Sequence, residues 1–201
     1  MIVLVDLCYR EESLSRNEYV DPVEQVVRDA GYDARVVHYT RIDPHRLQDA
    51  SSVIICGTAY ADCLWRESID LLSWIPASDL PLLGICAGMQ AMAMAEGGSL
   101  MPCREIGMID VRIRTGGALC EGVDQFSAFA CHQDAPPPPP QYDVVAESTR
   151  CPQMISHRDK PRYGVLIHPE VRNEWLIHRF LDLAQEGTPA FLKDRPQWWN
   201  D

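Results

Sequence analysis

Pro81-Leu82-Leu83-Gly84-Ile85-Cys86-Ala87-Gly88-Met89-Gln90 is the stretch that decides the fold. Its apolar run predicts a buried strand over Leu82 to Ile85, and Met89, Met92, Met94 and Ala95 predict a helix directly after it. Between the two stands Gly84-x-Cys86-x-Gly88, the spacing of a nucleophile elbow with cysteine in place of serine. Glycines are needed there because a tight strand-to-helix turn leaves no room for side chains. Such a turn lifts the thiol to the end of the sheet, over a helix N-terminus whose unpaired N–H groups and dipole favour the thiolate. The N–H of Ala87, next to the thiol, is placed to donate to an oxyanion. A buried strand that ends in a tight turn with an inert cysteine is the alternative reading of the same residues.

Outward from this segment, apolar runs predict further strands at Ile2 to Val5, Ala34 to His38, Val53 to Cys56 and Met108 to Ile113. Asp21-Pro22 reads as an N-cap with proline in the first helical position, followed by Val23, Val26 and Val27 on one face until Gly31. Arg66 to Ile75 reads as another helix, closed by Pro76. Strands alternating with helices imply an α/β fold with a mainly parallel central sheet flanked by helices. From Gly107 onward strand-like segments dominate (Phe126 to Ala130, Tyr142 to Ala146, Gln153 to Ser156, Tyr163 to Ile167), so extra antiparallel strands are expected in the C-terminal half. A last helix spans about Glu174 to Ala184. Pro136 to Pro140 reads as a stiff surface connector. The domain is expected to cover 1–184, with 185–201, including Trp198-Trp199, as a C-terminal tail.

The 201 residues carry 18 basic against 29 acidic side chains, a formal charge of −11 that argues against nucleic-acid and membrane-surface partners. The apolar start is too short for a signal peptide and no window reaches the length of a membrane span, so a cytoplasmic location is expected. Eight cysteines include no C-x-x-C pair, so zinc-ribbon and thioredoxin spacings are absent and neither metal nor cofactor is expected. Most of these cysteines read as small buried apolar residues.

A thiol nucleophile needs a base. His168 stands at the mouth of an apolar strand in Tyr163-Gly164-Val165-Leu166-Ile167-His168-Pro169-Glu170. Pro169 breaks the strand, and Glu170 can reach back to fix the tautomer of the imidazole and stabilise its charged form.

Together these segments resemble the class I glutamine amidotransferases, glutaminase modules with a Cys-His-Glu triad. Gly84-Ile85-Cys86-Ala87-Gly88-Met89-Gln90 is similar to the family's G-I-C-x-G-x-Q. Gly164-Val165-Leu166-Ile167-His168-Pro169-Glu170 is similar to G-V-Q-F-H-P-E, and Arg104-Glu105-Ile106-Gly107 to R-E-[YF]-G. Ala146-Glu147-Ser148, Cys151-Pro152, His157, Pro161 to Gly164 and Cys131-His132-Gln133-Asp134 look most like the glutaminase portion of GMP synthases. The resemblance implies a flavodoxin-like sheet and the catalytic set Cys86, His168 and Glu170. It also implies an oxyanion hole from the N–H groups of Gly57 and Ala87. Gln90 and the backbone around His132, Gln133 and Asp134 would hold the amino-acid end of L-glutamine.

The chain departs from the family pattern at three places. Thr58-Ala59 stands where the family has Gly-Pro, so Thr58 is expected either to take an unfavourable backbone conformation or to serve a hole formed differently. Met89 replaces a common histidine, and Gln133 replaces a glycine. No phosphate-binding or pyrophosphatase loop is present, so the resemblance implies a separate ATP-dependent synthetase that receives the ammonia. A stand-alone γ-glutamyl hydrolase acting on another amide is the alternative, and a non-catalytic regulatory module is the second.

Overall fold

The computed structural model describes residues 1–186; the tail expected at 185–201, with Trp198-Trp199, lies almost wholly outside the described residues. Nine strands form one sheet: β1 Ile2–Asp6, β2 Ala34–His38, β3 Ser52–Ile55, β4 Leu82–Ile85, β5 Met101–Ile113, β6 Gln125–Ala135, β7 Tyr142–Glu147, β8 Pro152–His157 and β9 Arg162–Val165. The helices are α1 Arg16–Tyr19, α2 Asp21–Asp29, α3 Leu64–Glu67, α4 Trp74–Ala77, α5 Ala87–Ala95, α6 Pro169–Arg172 and α7 Trp175–Glu186, with short 3-10 turns between them.

The strand order is β2-β1-β3-β4-β9-β8-β7-β5-β6. The first five are parallel and the last four antiparallel, with the change of direction between β9 and β8. The α/β expectation, with antiparallel strands added in the second half, therefore holds. Successive residues of the parallel strands face opposite layers. Ile2, Leu4, Ile54, Leu83 and Ile85 pack with Val23, Val26 and Val27 of α2 and with Leu176, Ile177 and Phe180 of α7. Val3, Val5, Val53, Ile55 and Leu82 pack instead with Trp65, Leu72, Ile75, Ala91 and Met92. A sheet covered on both faces needs this unbroken apolar run, which is why its strands read so plainly in the sequence.

Five local expectations are corrected. The helix expected over Arg66 to Ile75 is broken into α3, a 3-10 turn over Ile69–Leu72, and α4. Pro76 lies inside α4, in its first turn, where a missing N–H costs nothing, so it starts this helix and does not close the previous one. Asp21 is the first residue of α2 and not its cap, because α1 runs into α2 through Val20. The proline run is only partly a surface feature, since Pro136 and Pro139 are buried. Finally, β5 begins at Met101 and not at Met108. Its first half pairs only with β6, so Pro102 sits where the strand lacks a second neighbour, and Gly107 takes a φ of +104°.

Candidate active site

The elbow is built as its glycines require. A Cβ on Gly84 would lie 2.6 Å from the Gly88 carbonyl carbon, and one on Gly88 would lie 2.0 Å from the Ile55 oxygen. β4 can therefore meet α5, and α5 meet β3, only through backbone at these positions. The cost falls on Cys86, which adopts φ 50° and ψ −107°, a region that residues with side chains avoid at about 1–3 kcal/mol. Two backbone bonds hold it there: Cys86 N–H donates to Val165 O (2.7 Å), and Gln90 N–H donates to Cys86 O (3.2 Å). The thiol is 4% exposed, with Sγ 3.7 Å from Cys131 O.

His168 arrives from the neighbouring strand. β4 and β9 run parallel with Ile85 opposite Val165, and the chain continues through buried Leu166 and Ile167 to His168. Its N–H donates to Phe129 O of β6 (2.9 Å), and Pro169 then opens α6. Glu170, in the first turn of that helix, accepts from His168 Nδ1 at 2.8 Å, with both side chains buried. Nδ1 is thereby the protonated nitrogen of the neutral ring, and Nε2 is left for proton exchange. Among the described residues Nε2 makes no hydrogen bond of ordinary geometry, yet Cys86 acts on it electrostatically. Burial disfavours the imidazolium, but the Cys86 charge and hydrogen bond, followed by those of Glu170, outweigh it. Together they hold His168 well above the usual histidine range. The charged imidazole thus stands beside the thiol as its candidate acid–base partner.

Other groups near the pair stay neutral. Burial raises the Cys131 thiol, opposed by the His168 charge, and burial raises Cys56 further. Tyr19, its ring 5.7 Å from that of His168, has its phenol pushed up to about 12 by burial and then by Cys131. Gly57 lies against both catalytic candidates: a Cβ there would be 3.2 Å from His168 Cε1 and 3.5 Å from Cys86 Cβ. Among the described residues, neither Gly57 nor Ala87 spends its N–H on a turn, cap or loop acceptor. Of the two alternatives for Thr58, a left-handed backbone is not the one adopted; its hydroxyl donates to Asp62 Oδ2 at 2.6 Å.

The residues expected to face substrate lie on α5 and β6. Gln90 Nε2 donates to Asp134 O (2.8 Å), and Arg66 holds both Gln90 Oε1 (3.3 Å) and Asp134 Oδ2 (2.8 Å). Gln133 Nε2 donates to Tyr60 O at 3.2 Å, tying β6 to the loop that carries Gly57 and Thr58. The His132 side chain is committed to Cys103 O and Glu105. Nothing in the sequence marks Arg66 beyond the start of a helix, nor Phe129 and Cys131, which contribute backbone carbonyls that no residue-type pattern can show.

Comparison with known proteins gives the same outline. The model of the family "Glutamine amidotransferase class-I" matches residues 16–182. One subunit of the glutamine-hydrolyzing GMP synthase of Methanothrix thermoacetophila is 34% identical over 116 residues, covering 53% of this chain and 64% of that protein. The corresponding subunit of Haloquadratum walsbyi is 30% identical over 174 residues, 81% of this chain and 91% of that one. The GMP synthase of Corynebacterium glutamicum is 32% identical over 197 residues, and the match spans only 36% of its length. Among solved structures, a putative GMP synthase subunit from Thermoplasma acidophilum superposes with a TM-score of 0.81 at 22% identity, covering 92% of this chain and 94% of that one.

Proposed function

Because the chain belongs to the class I glutamine amidotransferase family, we propose that it hydrolyses L-glutamine to glutamate and ammonia, and that a separate ATP-dependent synthetase of the GMP synthase kind takes up the ammonia. The observation that carries this reading is the Cys86 elbow opposite a His168 whose other nitrogen is held by Glu170 at 2.8 Å.

The chemistry follows from that geometry. The Cys86 thiolate attacks the side-chain amide carbon of glutamine, and the amide oxygen becomes an oxyanion facing the N–H groups of Gly57 and Ala87. His168 Nε2 gives its proton to the departing nitrogen, which leaves as ammonia, and a γ-glutamyl thioester remains on Cys86. His168, now neutral, takes a proton from water as the water attacks the thioester. Its imidazolium re-forms as the thiolate and glutamate separate. Glu170 keeps the ring oriented through both proton transfers. Arg66 and Gln90 hold Asp134, and with it the β6 backbone that meets the amino-acid end of the substrate; Gln90 thus acts through β6.

Glutamate and ammonia are measured with glutamine as substrate, for the chain alone and with synthetase subunits that lack a glutaminase domain. Hydrolysis of glutamine, faster in the presence of a cognate synthetase, is expected. Turnover of another γ-glutamyl amide with no glutamine hydrolysis in any combination would overturn the reading in favour of a stand-alone γ-glutamyl hydrolase.

A further inference from the structure

Gly57, which offers one of the two oxyanion N–H groups, has nothing of its own to hold it. It lies in the loop 56–63 that joins β3 to α3. As a glycine it has more backbone freedom than any other residue. A side chain there would crowd the base, since a Cβ would lie 3.2 Å from His168 Cε1. Yet a donor stabilises an oxyanion well only when its direction is set beforehand. The rigidity of the Gly57 N–H must therefore come from its neighbours.

Those neighbours are tied from three sides. Thr58 is buried and β-branched, so its χ1 is stiff. Its hydroxyl donates to Asp62 Oδ2 at 2.6 Å, the length of a charge-assisted bond, which is about twice as strong as a neutral one. Asp62 N–H donates in turn to Ala59 O (2.8 Å), and Asp62 Oδ1 accepts from Leu64 N–H (3.4 Å) at the start of α3, where Trp65 is fully buried. From β6, Gln133 Nε2 donates to Tyr60 O at 3.2 Å. From just beyond β1, the Cys8 thiol lies within hydrogen-bond reach of Thr58, and burial, then Asp6, keeps it protonated. Thr58 and Gln133 are two of the three departures from the family pattern, and in each a side chain stands in place of a glycine. Both side chains reach the same loop, a convergence that no reading of one position at a time can show.

We propose that Thr58, braced by Asp62, and Gln133 are positioning residues that aim the Gly57 N–H at the oxyanion before substrate arrives. This role rests on the reading of Cys86 as a nucleophile that becomes acylated. It belongs to acyl chemistry alone. Acyl transfer to Cys86 builds a negative oxygen that needs a donor. Alkylation by iodoacetamide does not, because sulfur displaces iodide at a saturated carbon and no oxyanion forms. A loosened loop slows the first reaction and spares the second, whereas general damage to the site slows both.

The test uses the full chain in a Cys63→Ala background, which removes an exposed thiol that would compete, with Cys86→Ala as the blank. Three rates are measured: glutamine turnover, p-nitrophenolate release as p-nitrophenyl acetate acylates Cys86, and alkylation of Cys86 by iodoacetamide. Thr58→Val keeps the shape of the side chain and removes its hydroxyl. It should lower kcat for glutamine and the acylation rate by roughly 10- to 100-fold, short of the loss of a whole donor, with KM and alkylation unmoved. Thr58→Ser should restore most of both rates. Asp62→Ala, at a half-buried position, should match Thr58→Val and carries the test if that variant fails to fold. The double variant should be no slower than either, since both substitutions break one bond. Gln133→Ala should lower the same two rates by less. Equal losses in acylation and alkylation, unchanged acylation in Thr58→Val and Asp62→Ala, or additive losses in the double variant overturn the proposal. If the parent protein is acylated but leaves glutamine untouched, the glutamine reading falls, and the ratio of acylation to alkylation in the variants still decides for or against the loop. A parent protein that is neither acylated nor turns over glutamine overturns the proposal, because no oxyanion then forms for the loop to serve.

Discussion

The two ends of the sheet are built to different rules. The strands β1, β3 and β4 of the parallel end are buried at every position, whereas β5 alternates half-buried with exposed residues and β6 mostly buried with half-buried ones. The proposed nucleophile and its base both come from the parallel end, at the tops of adjacent strands β4 and β9. The antiparallel end contributes backbone: Phe129 O against His168, Cys131 O against Cys86, and Asp134 O against Gln90. A doubly covered sheet can hold a strained residue because every neighbour resists its relaxation. A half-exposed sheet cannot do this as well, but it can present main-chain groups to a small molecule. In the proposed reaction, chemistry thus sits on the rigid end and recognition on the other.

Substitutions test that division, beginning with the largest effect. Cys86→Ala should lower glutamine turnover by at least about 10⁴-fold in a steady-state ammonia assay, since burial keeps the neighbouring Cys56 and Cys131 thiols protonated. Glu170→Gln should follow with a loss of up to about 10⁴-fold in kcat, with the ring still in place but its tautomer and charge unsupported. Gly88→Ala forces a Cβ to within 2.0 Å of the Ile55 oxygen and should cost about 3 kcal/mol or more in urea unfolding. The antiparallel counterpart is Met108→Ala at a position 52% exposed, which should stay within about 0.5 kcal/mol. A large effect there would break the comparison.

The titration of His168 sharpens it. Its folded-state proton is held more tightly than in the unfolded chain, so the resulting stabilisation is complete below about pH 6.5 and is lost as pH rises through the raised folded-state value. Unfolding of the wild type should therefore show a decline at alkaline pH that His168→Asn lacks. In NMR titrations of the His168 ring, Cys86→Ser should move the midpoint downward further than Glu170→Gln does, because the Cys86 charge is the larger of the two supports.

What could be read from the sequence follows the same line. Ala34–His38 and Leu82–Ile85 are strands to the residue: Leu82–Ile85 is buried throughout and reads as a continuous apolar run, whereas Ala34–His38, a half-buried edge strand, reads through Val36 and Val37. The elbow is legible because its glycines answer a steric demand at fixed spacing. The first half of β5 is not, because Met101 to Gly107 is half exposed and interrupted by Pro102, and its pairing with β6 is set by partners distant in the chain. The break between α3 and α4 also escapes, since Ile69, Leu71, Leu72 and Trp74 keep a helical spacing across Ser68 and Ser73, where the backbone leaves the helix and starts again. At the site, side-chain types point to Cys86, His168 and Glu170, whereas Arg66 and the β6 carbonyls enter only through the folded register.

The pairing of Ile85 with Val165 carries a consequence for how this molecule can change length. Removing one residue between Arg162 and His168 would turn every side chain of β9 to the opposite layer and carry the imidazole away from the thiol. The loop between β8 and β9 stands outside that constraint and can lengthen without moving either group. Insertions ahead of Lys160 are therefore expected to be tolerated, whereas from Pro161, whose carbonyl accepts from Leu82 N–H, to His168 strand register forbids any change of length.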